Sequence, residues 1–207
     1  MFLSDSATVA LALALLSATM PAAADTTATA DDATVQCTQT GDGYLNAKIA
    51  GVLQAEIAWG DRGTACTGEA RPQGGVRFSF KNRIALDQML LIVFGIPGVQ
   101  EGRPGRALPA NVTVVREGAA EFYSTRGEDK CTVDRLDQVP VKGPPHKQRI
   151  YRVTVRGFCT EPARAVNGEG AVLLSRFDFA SELRIDEEQA DTPDPPSTVA
   201  LRSHNRG

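Results

Sequence analysis

Leu45, Ala47 and Ile49 alternate with polar Asn46 and Lys48, and the same period of two returns at Val76, Phe78 and Phe80, at Val112 and Val114, and around Ile150, Val153 and Val155. Successive side chains of a strand point to opposite faces, so this alternation predicts strands with one face buried and one wet. Met89-Leu90-Leu91-Ile92-Val93-Phe94 is a continuous apolar run of core-strand length. Turn signals separate the runs at Gly74-Gly75, Gly95 to Gly98, Gly102 to Gly105, Gly143-Pro144-Pro145 and Asn167-Gly168-Glu169-Gly170. About nine or ten strands are expected at regular spacing, with one helical stretch around Ile84 to Leu90. The pattern predicts an all-β protein, an antiparallel β-sandwich of jelly-roll or immunoglobulin-like kind.

The ends break this pattern. An apolar run from Ala7 to Met20 precedes Ala22-Ala23-Ala24. The run is too short to span a bilayer, and the small-residue triplet suits signal-peptidase cleavage, although no Lys or Arg precedes it. Residues 1–24 are therefore expected to be a signal peptide and 25–36 a flexible mature N-terminus. One β-sandwich domain is expected over 37–186, and a disordered tail over 187–207, where apolar content is low and three prolines fall. No later segment is long enough to cross a membrane. Periplasmic or secreted localisation follows. Arg outnumbers Lys, and Ala and Gly abound, as in high-GC bacterial genomes.

A second pattern is longer. Arg62-Gly63-Thr64-Ala65-Cys66-Thr67-Gly68-Glu69-Ala70-Arg71 resembles Arg156-Gly157-Phe158-Cys159-Thr160-Glu161-Pro162-Ala163-Arg164, and each phrase continues into Arg-Phe-x-Phe, at Arg77 to Phe80 and at Arg176 to Phe179. A β unit built twice is one reading, and shared strand grammar is the other. Four cysteines in an exported chain predict two disulfides, with three connectivities open. Equal spacing favours Cys37–Cys66 and Cys131–Cys159.

Composition narrows the chemistry. The net charge is −3, and aromatics are only 6%. With no polybasic run, nucleic acid is not expected as a partner. There is no Cys-x-x-Cys, and the two histidines are His146, in a proline-rich loop, and His204, in the tail. Neither a structural zinc site nor a hydrolase triad is expected, and no nucleophile elbow or phosphate loop occurs. No cofactor is implied. The lone acids in the Thr40 to Tyr44 and Asn167 to Gly170 stretches read as turn chemistry rather than calcium ligands.

Paired carboxylates remain, because two of them can cleave a glycosidic bond. Glu56, Asp61, Asp178 and Glu182 lie on or beside strands. Asp178 stands between Phe177 and Phe179, so it faces out if both rings face in. Few aromatic residues are available to stack on sugars: Trp59, expected in the core, and Tyr44, Tyr123 and Tyr151.

For binding, the stretch from Gly95 to Ala110 is long for an unstructured connection, and long loops are often functional. It carries Arg103 and Arg106, able to grip an anion bidentately. Arg62, Arg71, Arg156 and Arg164 recur in the repeated phrase and are expected to pair with Asp61, Glu69 and Glu161. The leading expectation is an exported, non-enzymatic module of the envelope or secreted milieu. Its partner would be a small or polymeric ligand or an envelope protein. The alternatives are a hydrolase of an extracellular polymer using Asp178 or Glu182, and a subunit docking by strand addition beside Met89 to Phe94.

Overall fold

The computed structural model describes residues 36–142 and 148–186. The expected signal peptide, the tail over 187–207, His146, His204 and all but Gln36 of the expected flexible segment lie outside the described residues. Eleven strands follow one another: β1 (Tyr44–Gly51), β2 (Ala55–Gly60), β3 (Ala65–Ala70), β4 (Val76–Ala85), β5 (Gln88–Ile96), β6 (Leu108–Glu117), β7 (Glu121–Ser124), β8 (Cys131–Pro140), β9 (Gln148–Cys159), β10 (Ala163–Ala165) and β11 (Ala171–Asp186). The expected helix at Ile84 to Leu90 is instead the tip of the β4–β5 hairpin. Its apolar spacing reflects a turn, with Leu86 projecting 82% exposed.

All the pairings are antiparallel except one bridge, Arg184↔Glu69, where β11 runs parallel to β3. The strands belong to a single sheet that closes on itself: β3, β4, β5, β6, β8, β9 and β11 follow in pairing order, and that bridge completes the ring. The expected all-β, antiparallel architecture is thus carried by one wrapped sheet. β1 and β2 extend it from β11, while β7 and β10 fill the corner between β6 and β11.

The core sits where the wrapped layers meet. Phe78 and Phe80 of β4 and Phe94 of β5 face Phe177 and Phe179 of β11, all essentially inaccessible. The Phe179 ring lies 5.2, 5.0 and 4.9 Å from those of Phe78, Phe80 and Phe94. These tilted and offset arrangements suit the aromatic quadrupole. Two of the rings need room beneath them. Gly68 lies opposite Phe78, where an added Cβ would stand 2.7 Å from the ring, and Gly157 lies opposite Phe177 with 2.6 Å.

The disulfides are Cys37–Cys66 and Cys131–Cys159, as the spacing favours. The first ties the segment ahead of β1 to β3, and the second joins register partners of β8 and β9. The repeated phrase does not occupy equivalent places. Cys66 to Ala70 is one strand opposite β4, whereas Cys159 ends β9, turns, and resumes as β10. The glycine beneath Phe78 follows Cys66 by two residues, and the glycine beneath Phe177 precedes Cys159 by two. The two stretches thus hold non-equivalent sheet positions, which favours shared strand grammar over one unit built twice.

Closing loops of this length removes about 3.6 kcal/mol of unfolded-chain entropy each in the loop-closure model. Replacing Cys131 and Cys159 together with Ala should lower the unfolding free energy by about that amount, measured by urea denaturation. The β8–β9 register already holds both strands in place, so the native circular dichroism should remain.

Candidate functional site

The outer face of β2, β1, β11, β9 and β8 forms a groove of about 680 Å³. Alternation puts its residues there: with Phe177 and Phe179 buried, Arg176 and Asp178 turn outward, and with Val153, Val155 and Cys159 buried, Arg156 and Phe158 do the same. Asn46 of β1, Glu56 and Ala58 of β2 and Asp134 of β8 also line it. A smaller hollow of about 210 Å³ adjoins it, sharing Arg156 and Asp178 and reaching Tyr44, Arg135 and Asp137.

Asp178 is the centre of this face. One carboxylate oxygen accepts the Tyr44 hydroxyl at 2.7 Å, and the other accepts Arg156 Nε at 3.1 Å. Burial, followed by the hydrogen bond to the Asp178 carboxylate, pushes the Tyr44 phenol up to about 12. Glu56 reaches across β1 to Arg176 at 3.6 Å. Beside the groove, Asp42 accepts from Arg152, Thr40 and Thr38. The Arg152 bond above all holds its carboxyl far below the ordinary range.

The other expected acids do different work. Glu182 is buried, accepts the Gln39 amide and pairs with Arg184 at 3.3 Å. It stands four residues from Asp178 on the same strand, about 13 Å along the chain, so the two do not share a substrate position. Asp61 is buried and caps the Thr38 and Gly43 amides at 3.1 and 3.2 Å. It therefore pairs with no arginine of the repeated phrase. Arg71 pairs with Glu128, Arg156 with Asp178, Glu69 with Arg77 and Glu161 with Lys130. The partners expected from chain proximity are replaced by residues the fold brings near, on facing strands for Arg156 and Glu69 and in the connections for Arg71 and Glu161.

Arg103 and Arg106 are exposed on the 97–107 connection, form no ion pair among the described residues, and do not line the groove. That connection is not a free loop. The Gln138 amide donates to the Gln100 and Arg103 carbonyls at 2.8 and 2.7 Å, and Gly105 pairs with the Leu136 backbone. Glu101 accepts two bonds from Arg149 and one from the Tyr151 hydroxyl. Trp59 packs against the core as expected. Met89 to Phe94 lies on β5, which is hydrogen-bonded on both edges, so it offers no edge for strand addition. Among the described residues no three His, Cys, Asp or Glu side chains gather as a metal site. Sequence reasoning did not single out Phe158, Asn46, Lys48 or Arg176 as surface residues with a role. The signal for Phe158 was present, because alternation along β9 sends this aromatic outward.

Comparison with protein-family models, curated proteins and solved structures gives no match.

Three tyrosines make up the chain's complement, and all are raised: Tyr44 and Tyr123 mainly by burial, Tyr151 mainly by its bond to Glu101. A raised phenol stabilises the fold below its unfolded value near 10 and loses that contribution as pH climbs through the folded value. Tyrosinate absorbance at pH 10 should therefore be lower in the native protein than in the denatured chain, which is about half ionised there.

Glu101 is shifted the opposite way, lowered chiefly by Arg149. Its contribution is present above its ordinary value of 4.5 and fades as pH falls below it. Glu101→Gln should cost up to about 1 kcal/mol at pH 7. The gap to wild type in urea unfolding should narrow as the acid limb is entered.

Proposed function

We propose that this protein is a non-enzymatic module acting outside the cytoplasm, in the periplasm or secreted, and that it holds a ligand in the groove across β2, β1, β11, β9 and β8. The observation that carries this reading is the state of the groove's carboxylates. A glycosidic acid–base pair needs two carboxyls facing each other across a substrate, about 5–10 Å apart, one of them protonated. Asp178 already accepts from both Arg156 and Tyr44, and Glu56 is drawn to Arg176. Glu182 lies apart as a backbone cap. Such paired charges suit recognition of polar groups better than proton transfer.

The two disulfides and the absence of a long apolar helix among the described residues support the extracytoplasmic part of the proposal. A second reading, docking by strand addition, moves from β5 to β2. β2 pairs with β1 on one edge, and its other edge has no partner among the described residues.

Amide chemical-shift mapping with a panel of soluble oligosaccharides and peptides tests both the site and the absence of turnover. Shifts should cluster at Asn46, Glu56, Ala58, Phe158 and Arg176, with the ligand unchanged after prolonged incubation. Fragmentation of an oligosaccharide that is abolished by Asp178→Asn would make the protein a hydrolase instead. Shifts confined to Ala55 to Gly60 with a peptide would favour strand addition.

A further inference from the structure

Directly opposed residues on neighbouring strands stand about 5 Å apart at Cβ, and like charges in that position destabilise a sheet. The groove and the sheet beside it carry two such pairs: Lys48 opposite Arg176, and Arg135 opposite Arg156, with Arg176 and Arg156 lining the groove itself. Packing does not force either, because all four side chains are exposed. Arg156 and Arg176 keep 72% and 74% of their side-chain surface in water. Each pair is flanked by acids, since Lys48 also stands opposite Glu56 and Arg156 opposite Asp178. These four cations stand on adjacent strands β1, β11, β9 and β8, a span of about 14 Å. That is wider than one small anion and suits a chain carrying several.

The chain cannot be densely charged. Glu56, Asp178 and Asp137 lie against the same cations, and Asp134 adds a carboxylate in the groove. A nucleic acid or polyphosphate would press its closely spaced charges against these acids. An anion repeated once per sugar, on a frame of hydroxyls, meets each group with its complement. Its carboxylates reach Lys48, Arg176 and Arg156. Its hydroxyls donate to Asp178 and Asp134 and accept from the Asn46 amide. Phe158, 36% exposed beside Arg176 and Arg156, offers its ring to the apolar face of a sugar.

We propose that the groove binds an acidic polysaccharide of the uronate type. The assignment rests on the groove being the ligand seat, and goes beyond it in naming the ligand's chemistry. Aromatic scarcity in the chain argues against a sugar platform in general; one ring at this position between arginines is what a single charged subsite requires.

Affinity electrophoresis of the full chain through polygalacturonate, neutral dextran and polyphosphate is the test. Polygalacturonate should retard the protein, less so as salt rises, and the other two polymers should retard it far less. Lys48→Ala with Arg176→Ala should weaken the retardation about tenfold, and Phe158→Ala about fivefold. Both should keep the wild-type melting temperature, since the positions are exposed. Should the alanine pair lose stability, Lys48→Gln with Arg176→Gln takes its place. Arg103→Ala with Arg106→Ala should leave retardation unchanged.

No retardation by polygalacturonate, equal retardation by polyphosphate, or full retardation of the Lys48/Arg176 variant would overturn the assignment. Phe158-dependent retardation by dextran alone would overturn the acidic class while keeping the groove as the seat. Retardation by polygalacturonate lost only in the Arg103/Arg106 variant would overturn both.

Discussion

Phe177 and Phe179 drive their rings from β11 into Phe78, Phe80 and Phe94 of the opposite layer, and most of the molecule's geometry follows from that contact. A strand cannot bury two residues spaced by two without exposing the ones between and beside them. Locking the rings inward therefore locks Arg176 and Asp178 outward. The same coupling holds on β9, where burial of Val155 and Cys159 fixes Arg156 and Phe158 on the solvent side. The groove is the reverse side of the core. Its side chains stand on backbone whose position is set by aromatic packing rather than by a loop.

That arrangement also explains how a face with opposed like charges is tolerated. Each arginine there has a carboxylate in reach, and the pairs are exposed, where ion pairs contribute about 0–1 kcal/mol. Such contacts are easily exchanged for others. The stiff part of the network is Tyr44–Asp178, half-buried and short, so one carboxylate is anchored while its cationic neighbours remain free to reorient. The balance suits recognition: a fixed acceptor at the centre with adaptable cations around it.

The strands, the fold class, the disulfide pairing and the outward turn of Asp178 were legible because each depends on a local rule: alternation, equal cysteine spacing, or the period of a strand. What escaped depends on which strands become neighbours. Arg71 pairs with Glu128 and Arg149 with Glu101, and nothing in the chain near these residues announces it. The stretch from Gly95 to Ala110 lacks regular alternation, yet Gln138 and Glu101 bind it to β8 and β9. Its arginines attracted attention as the most chemically distinctive residues in a loop. The groove residues were overlooked because each is an ordinary strand residue until β2, β1, β11, β9 and β8 are laid side by side. The repeated phrase left two readings open for a related reason: only the register shows that its two copies meet their Arg-Phe-x-Phe partners differently, Cys66 opposite Phe80 but Val155 opposite Phe179.

β11 is also the last described strand to leave the ribosome, yet it borders β1, β3, β9 and β10. Tyr44 must wait for Ala180, and distant pairings of this kind are slow because loop closure precedes any reward from contacts. The covalent bonds keep a different clock. Cys37–Cys66 and Cys131–Cys159 span 29 and 28 residues, both wholly upstream of β11. Neither bond therefore needs the strand that completes the sheet, because both join segments that precede it in the chain. The strand that emerges last among those described is thus also the one with the most neighbours to find.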